Sequence, residues 1–135
     1  MPKYPYTLLP AKPRPIYKPI IYITLSYKKT HKITHQTSAL IDSGADVCFC
    51  TKDIGLWLGI QFKKKEQVIF TAANSAKFKA VKENINIYVA GKNYLCPFYF
   101  TDVLPRETPI ILGQLGFFDH FKVCFDIRDQ TIEIS

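Results

Sequence analysis

The sequence predicts a mainly β domain: a closed or folded-over sheet with one or two short helices. Three observations predict it. Apolar runs are short and rich in β-branched and aromatic residues. Several of them alternate apolar with polar positions. Turn-forming residues separate them at close intervals, as in barrels and sandwiches. At 135 residues the chain is long enough for one domain with one core.

Residues 1–19 hold six of the nine prolines: Pro2, Pro5, Pro10, Pro13, Pro15 and Pro19. Each lacks a ladder donor, so this segment cannot join the interior of a sheet. It reads as an extended N-terminal arm or linker, packing on the body through Tyr4, Tyr6, Leu8 and Leu9 or lying loose, with the folded domain spanning 20–135.

Ile20 to Leu25 is an apolar β-rich run, and Lys28-Lys29-Thr30-His31-Lys32 makes a turn. Ser38-Ala39-Leu40-Ile41 is a short strand leading straight into Asp42. Residues 51–59 suit a short helix with Ile54, Leu56 and Trp57 inward, ended by Gly59. Gln67 to Val81 reads as a hairpin, with Asn74 at the left-handed position of its Ala73-Asn74-Ser75-Ala76 tip. A second hairpin turns around Gly91-Lys92-Asn93. Pro109 to Gly113 is a buried strand, residues 114–121 suit a second short helix, and Lys122–Ile127 and Thr131–Ile134 close the chain around a polar turn.

Four cysteines and no secretory leader favour reduced thiols packed as small apolar groups. Cys48-Phe49-Cys50 has the wrong spacing for zinc, and no metal or cofactor is expected. The absence of a long apolar span argues against a membrane partner and for a cytoplasmic chain; release from a polyprotein is compatible with it. The net charge of +7 reads as a solvated basic surface. The dense run Lys63-Lys64-Lys65 lacks interleaved aromatics, which argues against nucleic acid as the partner.

The informative stretch is Asp42-Ser43-Gly44-Ala45-Asp46. A strand delivers an acid on a rigid element. Gly44 allows a tight turn and lets its N–H approach the carboxylate. Ser43 can hydrogen-bond laterally, and Ala45 keeps the site narrow. On its own, Asp-Ser-Gly is also ordinary turn chemistry.

Asp42-Ser43-Gly44-Ala45 resembles the Asp-Ser/Thr-Gly-Ala signature of the aspartic peptidases. Ile110-Ile111-Leu112-Gly113 resembles the apolar strand that packs beside the catalytic loop, and Thr71-Ala72-Ala73-Asn74-Ser75 resembles the flap tip. The elements stand in the order of the retropepsin-like family from about Pro19 to the C-terminus. The resemblance implies a retropepsin-like (acid protease) barrel, a single lobe per chain, with Asp42 catalytic and Ser43, Gly44, Ala45 and Asp46 supporting it. Residues 71–76, Ala76 included, would form the flap. One signature in a short chain implies a homodimer whose two-fold axis passes between two Asp42 residues. Two carboxylates about 3 Å apart repel by about 5 kcal/mol at an effective dielectric of about 20, so the pair would share one proton. The implied activity is hydrolysis of extended peptide or protein substrates by an activated water, with no covalent intermediate. The alternative is a catalytically silent retropepsin-like module that binds peptide or protein.

Three departures stand out. Ser43 replaces the threonine of many retroviral members. Cys48 stands where serine or threonine is common, putting one hydroxyl hydrogen bond in question. Gln114 stands where retroviral enzymes have arginine, so a charged pair with Asp46 is not expected.

Overall fold

The computed structural model describes residues 2–135. In chain order the strands are β1 (Lys3–Pro5), β2 (Thr7–Leu9), β3 (Ile16–Lys18), β4 (Ile20–Tyr27), β5 (Lys32–Ile33), β6 (Thr37–Ile41) and β7 (Cys48–Thr51). Helix α1 (Lys52–Trp57) follows. Then come β8 (Gln67–Thr71), β9 (Lys77–Val89), β10 (Lys92–Thr101), β11 (Ile110–Leu112), β12 (Val123–Asp126) and β13 (Thr131–Ile134). Among the described residues, no helix is long and apolar enough to cross a membrane.

Strands β4, β6, β11, β7, β10 and β9 pair in that order, and β9 returns to β4 to close a six-stranded barrel. The fold is therefore a mainly β single lobe with one short helix. The core follows from strand alternation. Ile21, Ile23 and Leu25 of β4 meet Ile85 and Ile87 of β9, with Phe98 and Phe100 of β10 and Ile110 and Leu112 of β11, all almost fully buried.

The proline-rich arm lies on the outside, as its missing donors require. β1 pairs with β13 at the edge of a separate sheet ordered β1-β13-β12, and β2 pairs with β3. Tyr4 and Tyr6 pack against the core, Leu9 is half-buried, and Leu8 stays exposed.

Three local expectations need correction. In α1, Ile54 is half-buried, but Leu56 and Trp57 are more than half exposed. Gly55 and Leu58 face inward instead, three residues apart on one face, with Gly55 close against the Phe62 and Phe100 rings. Gly59 does end the helix, at φ +89°. Its N–H reaches Leu56 O at 3.0 Å and the Ile60 N–H reaches Gly55 O at 3.0 Å, a paired C-terminal cap.

Residues 114–121 form consecutive turns rather than a second helix. Gly116 sits at φ +106°, which an α-helix cannot propagate, and the Asp119 carboxylate accepts its N–H at 2.9 Å. At the tip of the β8–β9 hairpin, Ser75 rather than Asn74 takes positive φ (68°). The Asn74 side chain instead accepts the Ala76 N–H at 3.0 Å, closing the turn.

Candidate active site

β6 and β11 run parallel, with Leu40 opposite Ile111 and Ile41 opposite Leu112. This pairing continues one step past β6, where the Asp42 N–H donates to Leu112 O at 2.9 Å. Asp42 is thus fixed by the central strands of the barrel while its side chain is half-exposed. The chain then turns at once. Gly44 N–H donates to Asp42 Oδ1 at 2.9 Å, and Ala45 N–H donates to Asp42 O at 3.1 Å. A Cβ on Gly44 would stand only 3.3 Å from Oδ1, so the missing side chain lets the backbone donor reach the acid.

The segment after β11 braces this loop. Gln114 N–H donates to Ala45 O at 2.8 Å, Leu115 N–H donates to Asp46 O at 3.0 Å, and Gln114 Nε2 donates to Ser43 O at 2.7 Å. The approach is close because Gly113 has no side chain. A Cβ there would lie 2.2 Å from Val47 O and 2.6 Å from Ala45 O. Cys48 takes part too: its Sγ accepts the Gly113 N–H at 3.4 Å and lies 3.5 Å from Leu115 O. The thiol therefore occupies the bonding position in which the resemblance put a hydroxyl in question.

Asp42 opens onto a cleft of about 580 Å³ that also touches Gly44, Ala45 and Asp46. The β8–β9 hairpin roofs it, with Thr71, Ala72, Ala73, Asn74 and Ala76 on its wall. The tip is pinned by Ala72 N–H to Ala76 O at 2.8 Å and Ser75 N–H to Ala72 O at 2.9 Å. Below the tip, Phe70 lies opposite Phe78 and both rings rest on Phe49 of β7, at 5.0 and 5.7 Å between centroids. Tyr99 closes the group at 5.2 Å from Phe70.

The structure brings together most of the residues singled out from sequence: Asp42, Gly44, Ala45, Asp46, the hairpin tip and Ile111 share the cleft. Leu112 and Gly113 stand behind it, holding the loop through backbone contacts. Ser43 and Ser75 do not line it. Ser43 is exposed, and the bond that ties it to the brace runs through its carbonyl, not its hydroxyl. Asp46 makes no ion pair among the described residues.

Sequence reasoning missed Phe49, Phe70, Phe78, Lys77, Val103 and Leu104 as cleft residues. The alternation of Phe70 and Phe78 in the hairpin carried a signal for their shared face. Nothing local marked Val103 and Leu104, which reach the cleft from the loop before β11.

No protein-family model and no curated protein matches the sequence. Solved structures do match. One is EIAV protease complexed with the inhibitor HBY-793, at 16% identity and TM-score 0.55, over 72% of this chain and 82% of that one. Another is a retropepsin-like aspartic protease from Rickettsia conorii, at 21% identity and TM-score 0.58, over 86% of this chain and 89% of that one. At these identities the likeness is one of architecture: this chain has the retropepsin-like fold.

Proposed function

We propose that the chain is an aspartic endopeptidase whose active site is completed by a second copy of itself. One observation carries the reading. A single half-exposed carboxylate, Asp42, stands at the mouth of a cleft that an aromatic-seated hairpin covers, on a loop braced by six backbone or amide hydrogen bonds. A rigid loop of this kind preorganises an acid, and half-exposure leaves room for a mate to approach it.

With two Asp42 carboxylates sharing one proton, the ionised member takes a proton from a water lying between them. The water oxygen attacks the peptide carbonyl carbon. The protonated member donates to the carbonyl oxygen as it gains charge. Collapse of the tetrahedral intermediate breaks the C–N bond as the leaving nitrogen receives a proton from the pair. The Thr71–Ala76 tip covers an extended peptide and offers backbone groups to it.

The test is peptide hydrolysis across about pH 4–7, by wild type and by Asp42→Asn, with solution mass measured in parallel. The expected result is a dimer that cleaves peptides and a variant that has lost at least about a thousandfold in rate. Cleavage that survives Asp42→Asn sinks the reading. A dimer that binds peptide or a mimic of the tetrahedral intermediate without cleaving points instead to a silent binding module.

A further inference from the structure

The positive charge of this chain is gathered, not spread. Residues 28–33 and 51–67 carry seven lysines against two acids, Asp53 and Glu66, so they hold most of the net +7. The fold joins these two segments. Thr30 Oγ1 donates to Leu58 O at 2.6 Å, and the Thr30 methyl packs where a side chain on Gly59 would stand. Lys32 Nζ donates to Trp57 O at 3.1 Å. The neighbouring acids leave most of the charge unpaired: Glu83 neutralises Lys65 at 3.0 Å, and Asp102 shares an adjoining hollow with Lys52 and Lys79.

The same face supplies the aromatics that the linear lysine run lacks. Lys32 Nζ lies 5.4 Å over the Trp57 ring and Lys52 Nζ 5.7 Å over the Phe62 ring. Trp57 is half exposed. A pocket of about 190 Å³ opens against it, walled by Thr34, His35, Thr37 and Ile54. On the other side of α1, a groove of about 650 Å³ runs past Lys52, Phe62, Lys63, Lys64 and Lys65. None of these residues lines the Asp42 cleft.

We propose that this face binds single-stranded nucleic acid. Phosphates lie along the lysines of the groove, and the flat face of a base enters the slot against Trp57 and Ile54, with His35 on its wall. A flexible strand with alternating charge and π-faces fits a basic groove beside an exposed indole. An acidic polypeptide would meet the charge but offer nothing flat to the slot.

Trp57 is the chain's one tryptophan, so its fluorescence reports on the slot directly. The experiment titrates the full chain into a labelled single-stranded RNA or DNA of roughly 15 nucleotides, long enough to track such a groove. Anisotropy and tryptophan emission are followed together. If four lysines engage phosphates, affinity drops about fiftyfold between about 50 and about 200 mM salt, and Trp57 is quenched on saturation. Lys63→Glu with Lys64→Glu weakens binding at least about tenfold and flattens the salt slope by about 1.4, while Trp57→Ala weakens it about tenfold. Thermal midpoints check that each variant folds. Saturation without a change in Trp57 emission overturns the proposal. So does an unchanged affinity in the double variant, or polyglutamate that displaces the oligonucleotide as well as unlabelled oligonucleotide does.

Discussion

The Gln114 side-chain amide donates to the Ser43 carbonyl at 2.7 Å, tying the loop that carries Asp42 to the segment after β11. The neutral amide makes this tie without engaging the Asp46 carboxylate. Gln114→Ala removes one hydrogen bond, worth about 1 kcal/mol. We expect about a tenfold fall in kcat for peptide hydrolysis with KM little changed, because the loop loses its placement and the cleft keeps its walls. Steady-state kinetics with one peptide at several concentrations separates the two. A rise in KM at constant kcat would assign Gln114 to substrate binding instead.

Gly113→Ala tests how tightly the two segments meet. The added methyl has no space, since both oxygens in its path belong to the backbone of the Asp42 loop. Overpacking of this kind costs about 3 kcal/mol, and the loop must shift to relieve it. Urea denaturation should show the loss of stability, and activity should fall even where the variant remains folded. Gly91→Ala is the control: its Cβ meets nothing within 4 Å, so only its positive φ (77°) resists.

Glu83 sets an acid limit on stability. Burial raises its pKa, but hydrogen bonds from Lys65, the Asn84 N–H and Tyr27 outweigh this and hold the carboxyl below its ordinary value. A depressed folded value means that Glu83 stabilises the protein above the ordinary glutamate range. The contribution is then lost as pH falls through the folded value. Glu83→Gln should cost about 1 kcal/mol at neutral pH. The gap between wild type and variant should close in the acid range, as read from urea midpoints across pH.

Thiol labelling should count one reactive cysteine in the folded chain and four after unfolding. Cys124 is exposed, whereas Cys48, Cys50 and Cys96 are buried. Burial pushes the Cys50 thiol up. Hydrogen bonding with the Cys96 thiol holds Cys48 below its ordinary value against the upward push of burial, while the same contact and burial together drive Cys96 up. Burial nonetheless keeps reagents from Cys48. Fast loss of two or more thiols under native conditions would mean that the barrel opens beside the Asp42 loop.

The strand pattern was legible because alternation and apolar runs are local. The β4 run, the Ser38–Ile41 lead into Asp42 and the hairpin of β8 and β9 all stand where the residues put them. The 114–121 segment misled because its phenylalanines mimic a helical face, while Gly116 takes a positive φ that sets it against the Cys48 and Cys96 thiols and turns its N–H to the Asp119 carboxylate. The face of α1 was misjudged because six residues give too little periodicity to phase. Asp42 and its glycine were visible as a motif. The brace was not: Gln114 to Ser43 joins residues 71 apart, and no local rule connects them. The aromatic seat escaped for the same reason, since Phe49 and Phe70 belong to separate strands.

β9 runs thirteen residues without a break, about 40 Å end to end. Its first part forms the roof of the cleft with β8, its middle and end lie along β10, and Asn86 to Tyr88 pair with β4. The roof therefore has no joint of its own. A pull at Lys77 travels as tension down one backbone into Ile85 and Ile87, the centre of the barrel, before any softer link can absorb it. β8 is the edge strand of this sheet, and among the described residues no strand pairs with its outer side. The roof is thus laid as a long beam with a thinner plank along its outer side, and the plank alone has an open flank.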